Sequence, residues 1–282
     1  MAFLNPIPID MSKFKLKNKG VTFDENEHIY KINGRPCISV SSIISKNKEE
    51  FPTEVVLPKM VKKYPDTTKE LWRTLFDTKR KRNTYLGKSL HEFALSEFLR
   101  PGYLQPITVQ EIALLKAIDK LEKLNWRVVS AEVFNVSEKY LLGYTYDLLL
   151  YNIVTHEFAV GDYKQNEFFT EAQYKDTKNR RPGLMKNEFT ELGFRDVTEY
   201  SVAIQLGLYS KLLKEESGIN VTKQIAIHIS PKYYASGYYI YDVTKRVVMI
   251  DTILENELLK HINRSKRDSE IDDIMESLYA DL

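Results

Sequence analysis

Asp162 and Lys164 stand two residues apart in Gly161-Asp162-Tyr163-Lys164, and fourteen residues separate Asp162 from an upstream acid, Asp147. In an extended strand, side chains two apart point to the same face, so Asp162 and Lys164 face the same way. Carboxylates contributed by two neighbouring strands are hard oxygen ligands of the kind that hold Mg2+ or Mn2+, ions that keep several waters and leave room for a phosphate. One or two such ions would polarise a phosphodiester and lower the pKa of a bound water, while an ammonium group beside them orients that water or stabilises the charge that develops. The array therefore predicts metal-dependent phosphodiester hydrolysis. Asp147, Asp162 and Lys164 are the catalytic candidates, with Asp147, Asp162 and the backbone carbonyl of Tyr163 as ligands.

The elements that must position these groups follow from periodicity. Residues 21–45 alternate apolar and polar around Asn33-Gly34, a hairpin signal. Residues 46–84 carry Pro52, Pro58, Pro65 and many charges, ending in the basic run Lys79-Arg80-Lys81-Arg82, and read as short helices linked by loops. Leu86, Leu90, Phe93, Ala94 and Phe98 recur at helical spacing before Pro101-Gly102, and Ile112, Leu115, Ile118 and Leu121 mark a second helix. Three strand-like runs follow, 127–136, 143–151 and 157–164, as an antiparallel meander. Residues 165–200 are polar and longer than connections usually are, which predicts a functional or mobile loop. A helix over 201–214 ends before Gly218, strands follow at 223–230 and 238–243, and a last helix covers about 245–263. The fold class expected is α/β with a mixed sheet: an αβββαβ core over 85–230, preceded by a hairpin and a helical, basic region over 1–84 and followed by a strand and helix over 231–282, all in one domain.

Composition bounds the answer. At 282 residues, 43% hydrophobic and 28% charged, the chain can bury a substantial core. The net charge of +2 is too even for the whole surface to attract a polyanion, so any such site is a patch. Cys37 is the only cysteine, which excludes an internal disulfide and a four-cysteine zinc or iron-sulfur site. No run of 18 apolar residues and no signal-peptide pattern is present, and a cytoplasmic protein with no membrane partner is expected.

Four ordered motifs resemble the PD-(D/E)XK nuclease superfamily, in the branch similar to the RecB nuclease domain, bacteriophage lambda-type exonucleases and the mitochondrial genome maintenance exonuclease. Gly87-Lys88-Ser89-Leu90-His91 looks like its GxxxH helix and Gly143-Tyr144-Thr145-Tyr146-Asp147 like its glycine-to-aspartate strand. Asp162-Tyr163-Lys164 resembles its D-x-K, and Gln205-Leu206-Gly207-Leu208-Tyr209 its QxxxY helix. The resemblance implies a restriction-endonuclease-like core. It further implies that His91 binds or approaches a metal and that Gln205 and Tyr209 order the site and touch the DNA backbone. Glu132 falls where many phage-type relatives carry an acid on the first core strand and receives a supporting role. The glycine-to-aspartate interval is one residue longer than the commonest form, and the segment 165–200 is longer than the family's pattern. The single cysteine leaves no iron-sulfur cluster.

Each residue also has a plainer reading. His91 on an apolar helix is often a hydrogen-bonded core histidine, and Gln205 with Tyr209 four residues on can be a tyrosine packed on the core with glutamine at its rim. Gly87, one turn before His91, favours close approach of a backbone or of DNA. Basic runs are most often solvated, but Arg82, Lys88, Arg180 and Arg181, flanking a metal site, are the candidate phosphate contacts. The leading expectation is a Mg2+- or Mn2+-dependent DNA exonuclease acting on single strands or duplex ends. It would serve phage-type recombination, repair or replication in the host cytoplasm, with a recombination or replication protein as partner and its oligomeric state open. An endonuclease, structure-specific or acting on RNA, and a non-catalytic nucleic-acid-binding module on the same fold are the alternatives.

Overall fold

The computed structural model describes residues 20–24, 29–48, 52–178 and 182–262. The N-terminal hairpin forms as expected. Strands β1 (Val21–Asp24), β2 (Ile29–Ile32) and β3 (Arg35–Ser39) are antiparallel neighbours. Asn33 and Gly34 link Ile32 to Arg35 with φ of 50° and 80°; two consecutive left-handed residues make the turn whose twist matches the strands it joins.

Helix α1 (Val40–Lys46) begins where the Ser39 side chain accepts from Ser42 N–H, and α2 (Thr53–Lys63) follows. The expectation of short helices linked by loops up to residue 84 fails beyond α2. Helix α3 runs unbroken over Lys69–Leu99, so the basic run Lys79–Arg82 lies inside it. The reason is local: Thr68 caps the first turn by accepting from Leu71 N–H, and no proline follows until Pro101. Helix α4 (Val109–Lys123) opens with a reciprocal capping box between Thr108 and Glu111.

Strands β4 (Trp126–Ser137), β5 (Leu142–Asn152) and β6 (Phe158–Lys164) form the antiparallel meander, and β7 (Val221–Ile229) lies parallel to β6 with β8 (Tyr238–Asp242) antiparallel at the edge. The result is one mixed sheet of order β1-β2-β3-β5-β6-β7-β8, with β4 also paired to β5. One edge of β5 is paired along its length by β4. The other edge is shared: β3 takes Leu142 and Gly143, β6 takes Leu148 to Tyr151, and 144–147 lie in a fork between them.

The sheet is covered on both faces. Leu90 and Ala94 of α3 and Ala113, Leu114, Ala117 and Ile118 of α4 pack with Leu148, Leu150 and Ile227. Helix α7 (Thr198–Ser217) and α1 pack with Leu149, Tyr151 and Val160 on the opposite side. The polar segment 165–200 is not an open loop. It contains α5 (Glu171–Lys178), α6 (Glu188–Glu191) and a bridge between Leu184 and Arg195. Phe169, Met185, Phe189 and Phe194 anchor it, all buried in the α7 core. Widely spaced apolar residues carry no periodic signal, yet each buried phenylalanine contributes roughly 1.5–3 kcal/mol of transfer free energy. Gly218, at φ 70°, ends α7. A short α8 (Thr244–Met249) leads into helical residues 251–262. Among the described residues no helix is long and apolar enough to cross a membrane.

Candidate metal centre

The fork in the sheet creates the site. The last ladder pair between β5 and β6 is Leu148 with Gly161, and one residue beyond it lie Asp147 and Asp162. On the other side of β5, Ala131 pairs with Leu148 and Val133 with Tyr146, which brings Glu132 of β4 level with Asp147. A row of three acids thus crosses three adjacent strands. Glu132 has a left-handed φ of 52°, uncommon for a residue with a side chain. Its backbone switches faces there: Ala131 packs under α3 and α4, while Val133 packs against the opposite cluster.

His91 reaches the row from α3. Its Nδ1 is 2.8 Å from Glu132 Oε1 and 3.8 Å from Asp147 Oδ1, and one ligand atom from each of the three residues lies within 4.8 Å of the others. The Tyr163 hydroxyl also donates to Glu132 Oε1. Lys164 Nζ is 2.7 Å from Asp162 Oδ1, and Gln205 of α7 donates from Nε2 to the same oxygen at 2.9 Å and to Tyr209 Oη at 2.9 Å. Asp162 is wholly buried, and its Oδ2 has no hydrogen-bond partner. The arrangement opens onto a cavity of about 400 Å3 lined by Lys88, His91, Glu132, Asp147, Lys164 and Gln205.

The electrostatics are those of an under-neutralised acid cluster. Burial pushes Asp162 up to about 7, with the Asp147 charge adding to it. Burial likewise raises Asp147 to about 6 against the pull of His91, and raises Glu132 against its hydrogen bond from His91. For His91 burial works downward, but Asp147 and Glu132 outweigh it and hold the imidazole up at about 9. Lys164 is raised too: burial opposes the rise, and Asp162 and Asp147 overcome it.

A divalent cation fits these residues. Three carboxylates stand beside His91 and Lys164, a buried Asp162 oxygen is unpaired, and buried charge of one sign is costly unless an opposite charge meets it. The donor set is carboxylate-rich with one imidazole, which suits Mg2+ or Mn2+.

The structure brings together most of the residues singled out from sequence: His91, Asp147, Asp162, Lys164, Gln205 and Tyr209. Tyr163 contributes its amide to Asp147 at 2.9 Å as well as its hydroxyl to Glu132. Lys88 is exposed at the cavity rim, and Arg82 is exposed further up α3, outside the cavity lining. Arg180 and Arg181 lie outside the described residues. Among the described residues no other segment's backbone approaches Gly87, since a Cβ there would meet nothing within 4 Å. The close approach occurs at Gly143 instead, where a Cβ would lie 2.1 Å from Tyr30 Cγ.

Glu132, given only a supporting role from the sequence, stands with His91 and Asp147 in a group whose ligand atoms are close enough to hold a metal ion. The signal lay in equal intervals of 15 residues, from 132 to 147 and from 147 to 162. Antiparallel partners lie equidistant from their turn, so equal intervals set three residues level when the middle one lies midway between the two turns, as Asp147 does. The cavity wall of Phe23, Tyr30 and Ser39 had no such signal. A search of protein families and of curated proteins finds no match for this chain.

Proposed function

We propose that this chain is a metal-dependent nuclease, a DNA exonuclease acting on single strands or duplex ends, with a restriction-endonuclease-like core. The observation that carries the reading is the acid row Glu132-Asp147-Asp162 at a strand fork with Lys164 bonded to Asp162. The order of helix, three-strand meander, α7 and parallel β7 supports the core assignment.

When bound, Mg2+ or Mn2+ supplies Lewis-acid polarisation of the phosphodiester and an activated water. Glu132, Asp147, Asp162 and His91 would hold it. Lys164 keeps its proton because the acids around it favour the charged form, and its partly exposed side chain presents that charge to the phosphoryl oxygens. Gln205 fixes the orientation of Asp162 through its amide while Tyr209 holds Gln205 in turn. Such outer-shell partners orient the groups that hold an ion.

The test is incubation of 5′- and 3′-labelled linear DNA strands with Mg2+, Mn2+ or EDTA, alongside circular single-stranded DNA. Ion-dependent ladders on linear DNA with intact circles are expected. Cleaved circles would replace the exonuclease by an endonuclease, and absence of hydrolysis with either ion would overturn the enzymatic reading.

A further inference from the structure

Gly87 lies well inside the 31-residue helix α3, where glycine is less favourable than alanine because its backbone loses more freedom on ordering. Nothing among the described residues accounts for it. It has no left-handed φ, and a Cβ added there meets no atom within 4 Å. Gly143 and Gly207 differ, since a Cβ at either would strike Tyr30 or Leu254.

What the missing side chain leaves is room. Gly87 lines a second cavity of about 360 Å3, and His91 and Lys164 line both this cavity and the one of about 400 Å3 already described. Both volumes fall in the range of ligand pockets, roughly 300–1,000 Å3. The two differ in chemistry. The first carries the acids together with Phe23, Tyr30 and Tyr144. The second has no carboxylate in its lining and offers Asn83, Thr84, Gln165 and Asn166, of which Asn166 Oδ1 is buried without a partner. Amides and a hydroxyl beside Lys164 suit the phosphate, sugar and base edges of a nucleotide, and the absence of negative charge lets a phosphate enter.

We infer that the substrate strand crosses the His91–Lys164 pair with one nucleotide in each cavity, and that Gly87 is a substrate-positioning residue whose bare Cα admits the sugar-phosphate backbone on the second side. This rests on the nuclease reading for the bond that is cut, but the strand path is tested by binding alone. The plainer account, a helix glycine with no task, predicts that alanine improves the protein and changes nothing else.

The experiment measures fluorescence anisotropy of a labelled oligothymidylate in Ca2+, Mg2+-dependent cleavage, and thermal melting, for the wild type, Gly87→Ala, Gly87→Val and Thr84→Trp. Gly87→Ala should melt at or above the wild type yet bind and cleave about tenfold less well, since small displacements at a reacting centre are costly. Gly87→Val should lose more. Thr84→Trp fills the same cavity from an exposed position and should reproduce the loss even if Gly87→Val folds poorly. Variants that bind and cleave like the wild type would overturn the strand path while leaving the nuclease reading intact. Wild-type protein that binds oligothymidylate but cleaves nothing would overturn the nuclease reading, and loss of binding in the variants would still support the path. A wild type that binds no oligothymidylate overturns the path.

Discussion

Asp147 and Tyr163 are joined across the strand fork: the main-chain N–H of Tyr163 donates to Asp147 Oδ2 at 2.9 Å. Past the last β5–β6 ladder pair, a side chain has taken the place of a strand carbonyl. The carboxylate that faces the candidate cation site therefore also ties the fork together.

Separating those two duties gives the first prediction. Asp147→Asn keeps an acceptor for Tyr163 N–H and removes a charge that burial disfavours, so in EDTA it should melt no lower than the wild type. Asp147→Ala leaves a buried donor unmet, at about 1–3 kcal/mol, and should melt lower. Both should lose Mg2+-dependent cleavage, which assays beside the melts will check.

Gln205 ties α7 to Asp162 through its side-chain amide. Gln205→Leu should weaken Mn2+ affinity and cleavage by about 10–100-fold, the usual cost of losing a group that orients a ligand. Tyr209→Phe removes only the bond that steadies Gln205 and should cost less. Titration of activity against Mn2+ concentration separates the two, and equal losses would contradict the chain of contacts.

Gly143→Ala should destabilise the protein by about 1–3 kcal/mol, because the new methyl meets the Tyr30 ring and overpacking forces side chains off their wells. Tyr30, whose hydroxyl bonds Thr145 at 2.9 Å, anchors the hairpin to the fork. In urea unfolding, Tyr30→Ala and Gly143→Ala together should cost less than the sum of the two, since they share one contact.

His228 of β7, the register partner of Lys164 on β6, gives a pH dependence of its own. It is fully buried, with Nδ1 against Tyr234 Oη and Nε2 donating to the Asn166 carbonyl, and burial holds its pKa below the ordinary value. The folded protein keeps it neutral while the unfolded chain takes up a proton near pH 6.5. Stability should therefore fall as pH drops below that value, with a limiting slope of about 1.4 kcal/mol per unit from this residue. His228→Gln should flatten the slope between pH 7.5 and 5, as measured by denaturant unfolding.

Lys88, exposed at the cavity rim, should act through charge. Lys88→Ala should weaken binding of single-stranded DNA of any sequence and reduce the slope of log affinity against log salt by about 0.7. An unchanged slope would remove Lys88 from the phosphate contacts.

Much of this was legible in the residues. The Asn33-Gly34 hairpin and the 127–164 meander follow from alternation and turn chemistry, which act over a few residues and need no partner. Helix α3 was equally local, since Thr68 caps it and no proline interrupts it, but its charge density masks the underlying continuity. The buried phenylalanines of 165–200 were not legible, because what they pack against is distant in the chain.

The sequence by itself determined which groups are available and which share a strand face: Asp162 with Lys164 two apart, and Gln205 with Tyr209 one helical turn apart. Backbone stereochemistry repeats every two or about 3.6 residues whatever surrounds it. Only the tertiary structure decided that β3 and β6 divide one edge of β5. That division opens the fork, sets Glu132 level with Asp147 and Asp162, and leaves two cavities meeting at His91 and Lys164. Strand neighbourhood is settled by the packing of distant apolar faces, and no local period encodes it.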